Sequence, residues 1–280
     1  MPVSGQGEGG RGTLGKGLPR ARKRFGQHFL EPAWVAKLID ALSPAPDDVF
    51  IEIGPGRGAL TKALAPRVGR VIAVEIDRDL AAALPAHVPD HVRVVEADFL
   101  GVNVTELLTT ERRPVRVVGN LPYNVASPIL FKLLRAADEG RLFRDATVML
   151  QKEVADRLVA APGSPDYGGL AIQVALLADA ERLMTLPPGA FRPPPKVTSS
   201  VVRLTFRPML TEVGDPAVFE RMVRGVFLQR RKTVLNALKP VADALGRSAP
   251  DLVERAGVDP RKRPEELTVL EMARLARAVL

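Results

Sequence analysis

The sequence predicts an α/β fold, a mostly parallel β-sheet with helices on both faces, followed by a small all-helical domain. Short β-branched runs alternate with helical stretches from Asp47 to about Arg207. After Pro208 the strand signals stop and only helical patterns follow. The first three runs end in a glycine loop, a glutamate and an aspartate. In sheets of this kind ligands collect at the carboxyl ends of the strands, near the point where strand order reverses.

Residues 49–53 are apolar and β-branched, which predicts a first strand, and Gly54-Pro55-Gly56-Arg57-Gly58 turns the chain out of it. Residues 59–65 predict a helix, 70–75 a second strand and 77–84 a second helix. Residues 92–96 and 115–119 predict the third and fourth strands, with 104–110 helical between them. A helix at 127–137 and a fifth strand at 146–150 follow. Two more strands are predicted at 181–186 and 200–206, flanking a Pro-rich loop at 187–195. Beyond it, 219–228, 233–238, 251–256 and 265–279 read as helices. Pro250, Pro260 and Pro264 fall between or just before them, where they do least harm. The expected division is a basic, disordered tail at 1–21, a large domain at 22–207 and a small helical domain at 208–280.

The chain has 280 residues, 46% hydrophobic and 26% charged, which is ordinary for a soluble globular protein. It has no cysteine, so disulfide scaffolds, Cys-ligated zinc, iron–sulfur centres and thiol catalysis are excluded. The longest charge-free stretch, 117–131, contains Pro122 and Pro128 and is too short to span a bilayer. At the N-terminus only Leu14 and Leu18 stand where an apolar signal core would lie. A soluble, cytoplasmic protein without a membrane partner is expected. Its net charge is +8, and residues 1–24 carry six basic residues against one acid, Glu8. A second basic cluster is Gln229-Arg230-Arg231-Lys232. Two such clusters in an otherwise nearly balanced chain suggest a polyanionic partner.

The glycines at 54, 56 and 58 let the backbone pass close to a bound nucleoside. Glu75 follows Gly54 by twenty-one residues and ends the second predicted strand, where a carboxylate can accept both ribose hydroxyls. A dinucleotide site is disfavoured, because Gly54-x-Gly56-x-Gly58 is not G-x-G-x-x-G and Pro55 removes an N–H that a pyrophosphate would use. A plain tight turn is the bland alternative. Asp98, directly after the third strand, can accept an adenine amino group, with Phe99 as apolar cover; taken singly, an Asp there is more often a turn residue or helix cap. His87 and His91 straddle Pro89, and no metal is expected.

The fourth strand ends in Gly119-Asn120-Leu121-Pro122-Tyr123-Asn124. Pro122 pushes Leu121 towards an extended conformation, so the Leu121 carbonyl and the Asn120 side-chain oxygen can converge on one amino group. Tyr123 can lie flat against the ring that bears it. The N6 lone pair of adenine is delocalised into the ring; two acceptors holding its hydrogens favour a pyramidal nitrogen that points at an electrophile. That is catalysis by positioning, without a strong base.

Five segments, in order, then carry a resemblance. They are Arg24-Phe25-Gly26-Gln27-His28-Phe29-Leu30, the loop from Glu52 to Gly58, Asn120-Leu121-Pro122-Tyr123, Leu150-Gln151-Lys152-Glu153 and Phe191-Arg192-Pro193-Pro194-Pro195-Lys196-Val197. From about Arg22 to Arg207 the chain resembles the small-subunit ribosomal RNA adenine N6,N6-dimethyltransferases, the KsgA/RsmA family. The resemblance implies a Rossmann-like class I methyltransferase sheet at 22–207 and S-adenosylmethionine as donor. It also implies two adjacent adenosines near the 3′ end of 16S rRNA in the immature small subunit as acceptors, and a monomeric enzyme. By it, His28, Leu30, Gly54, Gly56, Glu75, Asp98 and Asn120 would bind the donor. Asn120, Leu121, Pro122 and Tyr123 would act at the target base, and Phe191 would face Tyr123 across it; the bland alternative for Phe191 is a core residue that anchors the Pro-rich loop. The family more often has Asn where this chain has His28; a His can still donate a hydrogen bond to the donor's carboxylate. Arg22, Lys23, Arg24, Lys196, Arg230, Arg231 and Lys232 would contact RNA phosphates. Rival readings are a resistance-type methyltransferase of 23S rRNA and a ribosome-assembly factor in which catalysis is secondary.

Overall fold

A computed structural model describes residues 28–111 and 114–280. The tail at 1–21 and Arg22, Lys23 and Arg24 lie outside the described residues. In chain order the elements are β1 (Phe29–Leu30), α1 (Pro32–Leu42), β2 (Val49–Ile53), α2 (Ala59–Leu64), β3 (Arg70–Glu75), α3 (Arg78–Ala83), β4 (Val92–Glu96), α4 (Val104–Leu107), β5 (Val115–Asn120) and α5 (Ala126–Gly140). They continue with β6 (Phe143–Gln151), α6 (Lys152–Leu158), α7 (Gly169–Leu177), β7 (Ala178–Leu186), β8 (Phe191–Arg192), β9 (Ser199–Phe206), α8 (Pro216–Leu228), α9 (Val234–Ala244), α10 (Ala249–Ala256) and α11 (Val269–Arg277).

Seven strands form one sheet in the order β4-β3-β2-β5-β6-β9-β7. The first five run parallel, and β9 is antiparallel to both β6 and β7. This is the predicted α/β class, with a Rossmann-like sheet. The central strands are apolar on both faces because helices cover both, and Ile51, Val71, Ile72, Val117 and Val118 are all buried. Strand order reverses at β2, between β3 and β5. The registers Ile53↔Val74, Ile53↔Gly119 and Glu75↔Glu96 bring the ends of four strands to one rim. Gly119 has a steric reason, since a Cβ there would stand 2.7 Å from the Ile53 carbonyl oxygen. At the opposite end of the sheet the buried Arg116 is matched by Asp145 through Nε and by Asp48 through Nη1, both at 2.9 Å. A buried cation held this way leaves little reason for the strands to slip.

Helices α1, α6 and α7 and the β1–β8 pair are not among the predicted elements. In α1 the signal is present in the sequence: Pro32 at the first turn, then Val35, Leu38, Ile39 and Leu42 buried at helical spacing. In α7, Gly169–Leu177 is apolar but for Gln173, so no periodicity separates helix from buried strand. The helix predicted at 104–110 is shorter, Val104–Leu107. That predicted at 233–238 continues through Pro240 to Ala244, because Val241 and Ala242 are buried and α8 lies so close that a Cβ on Gly225 would meet Val241 Cγ2. The helix predicted at 265–279 divides into a turn, Pro264–Glu266, and α11. The division is a reciprocal cap: Thr268 Oγ1 accepts from Glu271 N–H at 3.2 Å, and Glu271 Oε2 accepts from Thr268 N–H at 2.9 Å.

The helices α8–α11 have no separate interior. Val226, Leu238, Leu252 and Met272 belong to the same buried apolar cluster as Val117, Val148 and Leu204 of the sheet. No helix among the described residues is long and apolar enough to cross a membrane.

Candidate active site

At the rim where β2 and β5 part, a cavity is lined by His28, Leu30, Glu52, Gly54, Glu75 and Asn120, among others. It adjoins a second cavity of about 240 Å³, which shares Gly54, Ile76 and Pro122 with it and adds Asp98 and Phe99. The strand ends predicted to meet therefore line two adjoining cavities.

The loop after β2 takes positive φ at Gly54, Gly56 and Gly58, a region closed to most side chains. Gly56 N–H donates to Glu75 Oε2 at 2.9 Å, and Asp77 N–H donates to Oε1 at 2.8 Å. These two bonds fix the buried Glu75 carboxylate and leave lone pairs on each oxygen for hydroxyl donors. Burial raises the pKa of Glu75, against the lowering effect of those backbone donors. Phe29 closes over the loop, with the Arg57 guanidinium 4.5 Å from its ring centre.

Glu52, the fourth residue of β2, was not among the predicted site residues. It is buried and lines the cavity, and its Oε2 has no hydrogen-bond partner among the described residues. Burial, with a further contribution from the charge on Glu75, pushes its pKa up to about 7. The signal was available: an acid in the middle of an apolar, β-branched strand needs a reason.

Asn120 ends β5, and its Nδ2 donates to the His28 carbonyl at 2.6 Å. With the donor end engaged, Oδ1 is the acceptor end of this amide. His28 Nδ1 lies 2.7 Å from the Pro193 carbonyl oxygen, which only accepts, so Nδ1 carries the proton and a neutral ring keeps Nε2 as an acceptor. The Tyr123 ring stacks on His28, with centres 6.1 Å apart and planes 21° from parallel. The Tyr123 hydroxyl shares a 2.6 Å hydrogen bond with Ser199 Oγ.

Residues 19–279 match the family model described as ribosomal RNA adenine dimethylase. The chain belongs to this ribosomal RNA adenine dimethylase family. It is 44% identical over 261 residues to ribosomal RNA small subunit methyltransferase A of Acinetobacter baylyi, covering 92% of each chain. It is 46% identical over 255 residues to the protein of the same name from Aromatoleum aromaticum, covering 90% of this chain and 91% of that one. Among solved structures, a dimethyladenosine transferase from Plasmodium falciparum superposes with a TM-score of 0.74 at 25% identity, covering 89% of this chain and 96% of that one. The 23S rRNA methyltransferase ErmE superposes with a TM-score of 0.62 at 26% identity, covering 90% and 99%.

Within this adenine dimethylase family member, His28, Leu30, Gly54, Gly56, Glu75 and Asn120 line the first cavity, and Asp98 lines the second. Asp98 is exposed, and its Oδ1 accepts from Leu100 N–H at 2.9 Å. Pro122 lines both cavities, while the Leu121 side chain is buried in the core. Phe191 does not face Tyr123 in this structure. Its side chain is fully buried, in β8 opposite Leu30, and packs in a core cluster with Leu38, Met149 and Val201. The ring that faces Tyr123 is His28. The pairing of β8 with β1 turns the ring inward. Arg230 is also tied to the protein itself. It is half-buried, ion-pairs with Glu265 at 2.8 Å and donates to the Pro165 carbonyl, so it braces two loops. Lys196, Arg231 and Lys232 are exposed.

Proposed function

We propose that the protein dimethylates N6 of two adjacent adenosines near the 3′ end of 16S rRNA, within an immature small ribosomal subunit, using S-adenosylmethionine. The observation that carries this reading is the shared groove, in which the Asn120 amide and the Gly54 and Glu75 tips line one cavity. Small-subunit relatives at 44% and 46% identity favour 16S over 23S rRNA as substrate.

The residues present fit such a donor. Glu75 offers acceptors for ribose hydroxyls and Asp98 one for the adenine amino group, while Oε2 of Glu52, with no partner among the described residues, suits an ammonium. When bound, S-adenosylmethionine supplies an electrophilic sulfonium methyl and leaves as the neutral thioether. The protein's part is to present the acceptor. Asn120 Oδ1 and the Leu121 carbonyl would accept the two N6 hydrogens, localising the nitrogen lone pair, and Tyr123 would stack on the base. Each transfer forms one N–C bond and breaks one C–S bond, and one N6 proton passes to water. After the first transfer a single N–H remains, so the base must turn before the second. Residues 22–207 would form the donor-binding and catalytic domain. Residues 208–280, with Lys196, Arg231 and Lys232, would add salt-dependent phosphate contacts. The enzyme would work as a cytoplasmic monomer.

The test is mass mapping of modified adenosines after incubation of immature small subunits, or of 23S rRNA, with the protein and donor. Two dimethylated adenosines in 16S rRNA, lost on Asn120→Ala, are expected. Full dimethylation by Asn120→Ala, or modification of 23S rRNA alone, would overturn the reading.

A further inference from the structure

We infer that Lys132 is a positioning residue for the adenine end of the groove: it ties α5 to the loop that carries Asp98 and so sets how the donor's amino group is recognised. The inference rests on the reading of Asp98 as acceptor of that amino group.

Asp98 ends the short connection after β4, and the chain then turns through Phe99, Leu100, Gly101 and Val102. The turn has local bonds of its own, from Leu100 N–H to Asp98 Oδ1 and from Gly101 N–H to the Asp98 carbonyl, both 2.9 Å. These bonds fix the shape of the turn; Ala97 N–H to the Glu75 carbonyl and the buried Phe99 hold its start to the sheet. Lys132 ties its later part to α5. Its ammonium donates to the Leu100 carbonyl at 2.9 Å and to the Val102 carbonyl at 2.5 Å, and lies 5.4 Å from the centre of the Phe99 ring. Phe99 is buried and lines the same cavity as Asp98.

The Asp98 carboxylate also lies within electrostatic reach of the ammonium. One cation therefore holds two carbonyls of the turn, the ring beneath it and, through space, the acceptor itself. Two of its three N–H donors are engaged, a geometry that a flexible amine can satisfy and an apolar side chain cannot. Its helix, α5, begins at Ala126, three residues after Tyr123. Lys132 thus fixes the donor's base relative to the helix that follows the acceptor segment.

The experiment compares calorimetric affinities for S-adenosylhomocysteine and for its inosine analogue, in which oxygen replaces the amino group. Both are measured on the wild type, Lys132→Met, Lys132→Arg and Asp98→Ala, with melting temperatures recorded alongside. Lys132→Met keeps the length of the stem and its packing on Phe99. It should weaken the adenosine ligand about tenfold and the inosine ligand less than about twofold, the scale of one or two lost hydrogen bonds. Preference for adenosine then collapses in Lys132→Met and Asp98→Ala and is largely kept in Lys132→Arg. If Asp98→Ala abolishes the preference while Lys132→Met weakens both ligands equally or only lowers the melting temperature, Lys132 is merely structural and the inference fails. If Asp98→Ala leaves the preference intact, the reading of Asp98 fails and the inference falls with it.

Discussion

The Tyr123 hydroxyl and Ser199 Oγ lie 2.6 Å apart, so the acceptor segment after β5 is fastened to the first residue of β9. Ser199 is fully buried between β6 and β7, where it pairs with Gln151 and Leu186. A ring pinned at its far end keeps its tilt.

Removing that pin should slow transfer without changing donor binding. Ser199→Ala and Tyr123→Phe are each expected to lower the single-turnover methylation rate roughly three- to tenfold, the scale of one hydrogen bond. The double variant should be no worse than either single one. Additive losses would show that the two hydroxyls act separately.

Glu52 gives a pH dependence with a definite sign. Its pKa rises from an ordinary 4.5 to about 7 on folding. Below the lower value both states hold the proton and the group makes no difference. Between the two the unfolded chain has released it and the native chain has not, so stability falls as pH rises. Above about 7 both are ionised and the deficit is constant, on the order of 3 kcal/mol. Glu52→Gln cannot ionise, so its denaturation midpoint should gain on the wild type between pH 5 and pH 8. A difference that stays flat across that range would contradict the assignment.

Phe191 should behave as core. Phe191→Ala is expected to cost roughly 3–5 kcal/mol of stability, seen in chemical denaturation. Phe191→Leu should cost less than about 1.5 kcal/mol and keep methylation within a few-fold at temperatures where it is folded. A folded but inactive Phe191→Leu would return the ring to the target base.

Basic residues that look alike in the sequence should separate in salt titrations. Arg231→Ala and Lys232→Ala are each expected to reduce the slope of log affinity against log salt by roughly 1, as for one lost phosphate contact. Arg230→Ala should leave the slope nearly unchanged and lower the melting temperature, because it breaks the bond to Glu265.

Most of the rim was legible in the sequence because each tip residue is the end of a β-branched run, and a parallel sheet brings such ends together. The bounds of β2, β3 and β4 were read without error for the same reason. Contacts between distant segments were not legible. The stacking of His28 on Tyr123 and the burial of Phe191 under Leu30 depend on β1 pairing with β8, two residues on each side and far apart in the chain. Lys132 escaped notice because a lysine on a helix usually reads as a solvated one. Its role arises from the turn that happens to pass beneath it. Helix α7 carries no alternation to read at all.

The apolar interior that runs unbroken from the sheet into α8–α11 has a practical meaning. The last quarter of the chain should not stand alone when cut away, since the cut would bare oily surface on the sheet as well. Heating the intact protein should give one cooperative melt, so damage to α8–α11 would be felt as donor binding lost at the same temperature.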